Sequence, residues 1–346
     1  MYFNDSNDKL TLLSVEQWGK TSWSTMERAF YGCANLVNNA TDVPNLSVLS
    51  NMAWTFRNCA NLGTGTATNW SDWDVSKVTS MWLLFNGAGS FNKDITAWDV
   101  SNVETFIGTF NGATAFNRNI RDWDVSDALH MNKMFFDATS FNQNLDTWDV
   151  SKVTNMLQMF SGATSFNQDL GSWNVSAVTN MALMFAGVTL SPINYNSLLS
   201  GWNARTLVSG VTFDGGNSKY CSQEAVDARA NMIASDSWTI TDGGRITEVN
   251  WTGATDNDWD DDSNWDTCVP NSSLNVNVEI QSGMTSPFIK SNVSAVANNL
   301  SLSTIATTSY ISILGSLTVN DFSIGASNNL TIVNDGSFII SGNITS

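Results

Sequence analysis

Histidine is almost missing from this sequence: His130 is the single one in 346 residues. That removes most imidazole-based catalysis and every His-rich metal site. Cationic residues are scarce too, with 15 Lys and Arg against 32 Asp and Glu and a formal charge of −17. Such a chain repels nucleic acid and anionic membrane surfaces and attracts divalent cations. Charged residues of both signs reach only 14%, below the ordinary ~25%. Asn, Ser, Thr and Asp cover the surface instead, which suits an extracellular repeat protein better than a cytosolic enzyme. No apolar run approaches the ~20 residues that span a bilayer. Met1-Tyr2-Phe3-Asn4 has neither the basic nor the apolar stretch of a signal peptide. A start upstream is therefore expected, and the chain is read as a monomeric piece of a larger protein. None of the four cysteines, Cys33, Cys59, Cys221 and Cys268, lies in a CxxC spacing, which argues against zinc.

What is abundant is repetition. Hydrophobic residues make up 42%, enough for a core, and the length suggests about two or three units. Trp73-Asp74-Val75-Ser76 returns at Trp98, Trp123 and Trp148, and as Trp173-Asn174-Val175-Ser176, every 25 residues. Phe85, Phe110, Phe135, Phe160 and Phe185 keep the same step, as do Met81, Phe106, Met131, Met156 and Met181. So do Phe91, Phe116, Phe141 and Phe166, each followed by Asn, and the small residues Ala88, Ala113, Ala138 and Ala163. Met26, Phe30, Cys33 and Leu36 match Met52, Phe56, Cys59 and Leu62 at a step of 26, and the latter set matches the next at 29. About seven coils result, from roughly residue 23 to 190.

One coil, residues 145–166, shows the expected local structure. Leu145-x-x-Trp148-x-Val150 has a leucine-rich-repeat strand cadence, with Trp148 and Val150 inward and Asp149 outward. Ser151 then caps a short helical turn carrying Val153, Met156, Met159 and Phe160 on one face. A lone coil cannot bury these side chains, but stacked coils share one core. The expected fold is a repeat solenoid, leucine-rich-repeat-like, of short parallel strands and short helical turns, followed by an all-β module. An Asn ladder along the Phe-Asn column is expected to bond coil to coil.

These residues resemble the BspA-like leucine-rich-repeat surface proteins, in the branch with W-D-V-S-x-V-T-x-M-x-x-M-F-x-G-A-x-x-F-N found in Mycoplasma lipoproteins and Bacteroidetes surface proteins. Val150-Ser151-Lys152-Val153-Thr154-Asn155-Met156 and Phe160-Ser161-Gly162-Ala163-Thr164-Ser165-Phe166-Asn167 carry the likeness. Ser14–Gly19 looks like that family's lead-in segment, and the run from Gly201-Trp202 to Gly243-Gly244 like its C-terminal cap. The resemblance covers about residues 9–244. It implies a secreted or bacterial cell-surface location, export by a Bacteroidetes-type system, adhesion or partner binding, and no catalytic residues. Two coils depart from the pattern, at Ala128-Leu129-His130 and at Val103-Glu104-Thr105-Phe106; neither is expected to change the fold.

The domain reading is 1–66 for an N-terminal cap and two degenerate repeats, 67–190 for the regular repeats, 191–245 for the cap, and 246–346 for an all-β module, possibly cut short. In that module Leu274, Val276, Val278 and Ile280 alternate as a strand. Leu300/Leu302, Ile311/Ile313, Leu317/Val319, Leu330/Ile332 and Phe338/Ile340 follow as short strands. A β-solenoid or a sandwich fits, and the 19 residues from Ile311 to Leu330 favour the solenoid.

Candidate site residues each have two readings. The outward column Asp74, Asp99, Asp124 and Asp149 is either a cation or ligand ladder or a set of local caps to Ser76-type hydroxyls and backbone N–H groups. Asp256, Asp258, Asp260, Asp261 and Asp262 form either a calcium loop, lacking EF-hand order, or a solvated loop; calcium is the only cofactor considered. Cys33 and Cys59 are either a disulfide or two small buried thiols, since the column otherwise holds Ala. Pairing of Cys221 with Cys268 has no support in the spacing. His130 aligns with Ser80, Asn155 and Asn180, so it is expected at the surface. The function expected is non-catalytic adhesion or protein–protein interaction. The alternatives are a glycan-binding module, with Trp82, Trp251 and Trp259 as candidate exposed platforms, and a passive stalk. The outward residues Asp72, Ala97, Asp122, Thr147 and Ser172 vary little in character, which argues against a finely specific peptide groove.

Overall fold

The computed structural model describes residues 9–261, 264–265, 268–269, 277–280, 287–289, 294–302, 309–313, 316–324, 330–334, 337–340 and 344–345. Two compact units divide the chain. The first comprises Met1–Leu190, Ser197–Ser218 and Ala228–Gly243, and the second Ser191–Asn196, Lys219–Asp227 and Gly244–Ser346. Residues of the segment 191–245 fall in both units.

In the first unit, short strands β1 (Ser14–Val15) and β2 (Val37–Asn38) pair in parallel. Helix α1 (Pro192–Asn203) and helix α2 (Gln223–Ala234) each have residues in both units, and strands β3 (Thr212–Asp214) and β4 (Thr239–Thr241), in the first, pair in parallel. Between β2 and α1 the repeats lie coil on coil. Single parallel bridges run Asn51–Ser80–Thr105–His130–Asn155–Asn180, and Met181 bridges on to Phe213 of β3.

Each coil is built from β-turns rather than from a strand and a helix. The expected strand around Trp148–Val150 has no ladder. Trp148 N–H and Val153 N–H close i→i−3 turns on Leu145 and Val150, and Ser151 N–H is taken by Asp149. The bridging backbone lies farther along, at Asn155. The expected helical turn is also absent. Met156, Gln158, Phe160 and Gly162 donate N–H to Asn180, Ala182, Met184 and Ala186 of the next coil. The intervening Met159, Ser161 and Ala163 close turns on Met156, Gln158 and Phe160. Gln158 and Gly162 hold φ of 55° and 74°, which an α-helix excludes and which the third residue of a type II turn requires. The pair recurs at Leu83/Gly87, Lys133/Asp137 and Leu183/Gly187. Gly162 is further constrained, because a Cβ there collides with the Asp137 carboxylate of the preceding coil.

Alternate N–H groups bonded from coil to coil set a spacing close to that of parallel strands, ~4.8 Å, and at that spacing aromatic rings stack. The Phe column from Phe30 to Phe185 has centroids 5.4 to 5.9 Å apart. The column Phe91, Phe116, Phe141 and Phe166 runs at 5.9 to 6.2 Å. Trp73, Trp98 and Trp123 stack at 6.3 and 6.4 Å. The indole N–H groups of Trp98, Trp123, Trp148, Trp173 and Trp202 each donate to a carbonyl of an earlier coil, at Trp70, Ile95, Ile120, Leu145 and Leu170. These five buried tryptophans thus satisfy their one polar atom, whereas the buried indole N–H groups of Trp70 and Trp73 find no partner among the described residues. The Asn ladder forms as well: the side-chain carbonyls of Asn92, Asn117 and Asn142 accept the backbone N–H of Asn117, Asn142 and Asn167.

The second unit holds β5 (Glu248–Trp251), β6 (Asn277–Ile280), β7 (Phe288–Ile289), β8 (Ser294–Leu302), β9 (Ser309–Ile313), β10 (Ser316–Ile324), β11 (Leu330–Asn334), β12 (Ser337–Ile340) and β13 (Ile344–Thr345). One sheet has the order β12-β10-β8-β6-β5, with β13 also on β10, and another β11-β9-β7. All strand pairs in both are parallel. Ser294 faces Ser316, which faces Ser337, and Ile311 faces Ile332. Equivalent residues are thus 22 and then 21 apart, which corrects the 19-residue step, because Ile311 pairs with Ile332 and not with Leu330. Leu274 and Val276 lie outside the described residues.

Candidate binding face

The inward residues of unit one are committed to packing, so function falls to the residues that point out. Three neighbouring coils differ from the rest there. Trp82 is 42% exposed and Leu129 38%, and with Glu104, Thr105, Ile107 and His130 they line a groove of about 310 Å³. In the regular coils the position two before the inward Met is Thr79, Thr154 or Thr179, and the next is Ser80, Asn155 or Asn180. In the groove those positions hold Glu104 and Leu129, then Thr105 and His130. The sequence departures at 103–106 and 128–130 therefore meet in one concavity. The shared turn ladder brings them together, because residues 25 apart are adjacent across the bridges Ser80–Thr105–His130. The groove combines an indole, aliphatic walls, a carboxylate, an imidazole and a hydroxyl, the mix of apolar lining and few polar groups that binding sites use.

Next to it the outward residues of the earlier coils form an aromatic ridge. Tyr31 meets Trp54 edge-on at 5.6 Å, and Trp54 meets Trp82 at 5.5 Å. The Arg57 guanidinium lies 4.2 Å from the Trp54 ring and 5.2 Å from that of Tyr31, and Arg28 lies 4.7 Å from Trp54. Of the three tryptophans read as exposed platforms, only Trp82 is one. Trp251 and Trp259 are 1% and 0% exposed and pack with Trp265 at 5.0 and 4.6 Å, in the core of the second unit.

The aspartate column acts as a row of caps. Backbone N–H groups of Ser76, Ser101, Ser126 and Ser151 donate to Asp74, Asp99, Asp124 and Asp149 at 3.2, 3.1, 3.0 and 3.0 Å. The Ser76 and Ser101 hydroxyls donate to the same oxygens. Asn174 does the same for Ser176. In the acidic loop, buried Asn264 accepts from the N–H groups of Thr255 and Asp256 and donates to the Asp256 carboxylate and the Asp258 carbonyl. The Asp256 and Asp258 carboxylates accept the N–H of Asp258 and Asp260, and Asp262 lies outside the described residues. Among the described residues, Asp260 and Asp261 included, no three acid, His or Cys side chains converge to hold a metal ion. The carboxylates of the column and of Asp256 and Asp258 bond within local turns.

The Ser76 hydroxyl and N–H hold the Asp74 carboxyl below its usual range. A depressed folded pKa means stability present above the unfolded value of ~3.9 and lost as pH falls through the folded one. Asp74→Asn is expected to leave the melting temperature at pH 7 nearly unchanged, since Asn174 makes the same bonds, and to lessen the loss of stability below about pH 4. Melting curves of both proteins from pH 7 to pH 2 check this; an undiminished acid loss in the variant contradicts it.

Cys33 and Cys59 are free and buried, not a disulfide. The Cys59 thiol donates to the Phe30 carbonyl at 3.0 Å. Burial pushes Cys33 up to about 11 and Cys59 well above the ordinary thiol range, so both are inert small hydrophobes. The bond that does form is Cys221–Cys268, 47 residues apart, within the second unit. Asn196 holds Cys221 by accepting its N–H and donating to its sulfur. Among the described residues no helix is long and apolar enough to cross a membrane.

Stacked repeats with an uneven stretch that forms a solvent-facing groove and ridge define a non-uniform repeat protein. The sequence profile of a Mycoplasma protein family of unknown function, DUF285, matches residues 21–146 and again 119–214. The chain belongs to that family. Neither curated proteins nor solved structures yield a match.

Proposed function

We propose that this is a non-catalytic bacterial cell-surface or secreted protein that acts in adhesion or protein–protein interaction, of the BspA-like kind within its family. The observation that carries the reading is the groove of Trp82, Glu104, Thr105, Ile107, Leu129 and His130, where the repeat symmetry breaks on the exposed side. A passive stalk has no use for unlike coils at one place. Exposed Trp and nearby apolar walls are the makings of an interface hot spot. The exposed indole also suits the flat face of a sugar ring, so a glycan partner is the second reading.

The fold proposed with it is a leucine-rich-repeat-like solenoid for the first unit and a β-solenoid for the second. Coil-to-coil bonds at alternate residues support the former, and all-parallel pairing at 21- and 22-residue steps the latter. The Cys221–Cys268 disulfide supports an oxidising compartment outside the cytoplasm.

Beads coated with the chain, tested against immobilised extracellular-matrix proteins and mucin glycans, check the function. Wild type is expected to bind a member of the panel, and Leu129→Asp to weaken that binding at least about tenfold with an unchanged melting temperature. Binding to none, or equal binding by the variant, rejects the reading.

A further inference from the structure

The groove does not account for the ridge beside it. Two guanidinium groups, Arg28 and Arg57, lie over the same Trp54 indole at 4.7 and 4.2 Å. Like charges this close repel. Arg28 has a loose ion pair with the Glu27 carboxylate at 3.9 Å, whereas among the described residues no carboxylate pairs with Arg57. The Arg57 side chain donates through Nε to the neutral side-chain carbonyl of Asn86 at 2.9 Å. Arg57 thus offers a guanidinium on the half-buried Trp54 indole with no carboxylate partner among the described residues.

The Arg57 guanidinium lies over Trp54 and near Tyr31 with its Nε on Asn86, while its terminal nitrogens make no hydrogen bond to the described residues. A fork held in that way is suited to a carboxylate or sulfate. The surroundings narrow the class of anion. Trp54 and Trp82, 5.5 Å apart, offer aromatic faces for the apolar side of a ring. A peptide that binds by adding a strand needs free backbone groups. Here Arg28, Phe30 and Gly32 donate N–H to Ala53, Thr55 and Arg57, and Trp54, Phe56 and Asn58 to Trp82, Leu84 and Asn86, so the backbone under the ridge is already paired coil to coil.

The geometry points to the ridge of Arg28, Tyr31, Trp54, Arg57 and Trp82 as a binding site for an anionic glycan, its sugar rings on the indoles and its carboxylate or sulfate on the Arg57 fork. This rests on the reading that the exposed side of these coils binds an extracellular partner, and it names the ligand's chemistry.

A glycan array carrying neutral, carboxylated and sulfated oligosaccharides, probed with the full chain, tests it. The expected result is binding to anionic members and not to their neutral counterparts, weakening as salt rises. Preference between the carboxylated and sulfated sets identifies the anion. Arg57→Gln, whose amide can still reach Asn86, is expected to lower affinity about tenfold or more with an unchanged melting temperature, and Arg57→Lys to restore only part of it because the fork is lost. Equal binding of neutral and anionic glycans overturns the proposal, as does full affinity in Arg57→Gln. Binding confined to neutral glycans or to an acidic peptide, and sensitive to Leu129→Asp, overturns it while leaving the adhesive function standing.

Discussion

Replacing Trp123 with Ala is expected to lower the stability of the first unit by ~3–5 kcal/mol, the range for deleting a buried large aromatic. Trp123 is 3% exposed. Its ring stacks on Trp98 at 6.4 Å and meets Phe106 and Phe110 at 6.2 Å. Its indole N–H, donated to the Ile95 carbonyl at 3.2 Å, is lost with the ring, but that carbonyl keeps the Trp98 N–H, so the hydrogen bond accounts for only about 0.5–1.5 kcal/mol of the loss. The cavity sits mid-array, where coils above and below cannot close on it without breaking the coil-to-coil bonds. Trp123→Phe separates the two effects: most of the stack stays while the hydrogen bond and part of the ring go, so a smaller loss of ~1–3 kcal/mol is expected. Urea unfolding followed by far-UV circular dichroism measures both. A loss below about 1 kcal/mol for Trp123→Ala would mean that the stack contributes little.

The Cys221–Cys268 bond has the second large effect. Closing a loop of 47 residues stabilises by about 4 kcal/mol on the chain-entropy account. Removing it by the double substitution to Ser is expected to destabilise the second unit by ~2–4 kcal/mol. The first unit carries only free thiols, so its own transition is expected to stay in place under reductant. Thiol titration of the denatured chain gives the matching count: Cys33 and Cys59 react before reduction, and all four cysteines after it. A scan in which reductant moves neither transition removes the disulfide from the account of stability.

Much of this was visible in the sequence, and the misreadings have a common cause. The columns of Trp, Met and Phe could be read directly, since only inward positions keep large apolar residues at a fixed step. The helix expected at Val153–Phe160 was wrong in backbone and right in side chains. Met156, Met159, Phe160 and Ala163 are all buried, because a ladder of turns presents the same inward spacing as one face of a helix. The clue was the Gly at 87, 112, 162 and 187, each at positive φ. The groove is present in the sequence as two departures from the repeat, at 103–106 and 128–130, which leave the coil-to-coil bridges in place. They gained meaning only when the turn ladder laid them side by side.

The sequence by itself determined the repeat, its period and the side chains that face the core, because burial selects residue size and polarity position by position. Tertiary structure alone decided where the backbone N–H groups go, which cysteines meet and which tryptophans stay in solvent. Those outcomes depend on distances between segments that the chain brings together only after it has stacked. Cys33 and Cys59 occupy equivalent positions yet stay thiols, whereas Cys221 and Cys268, with no pattern to link them, are joined.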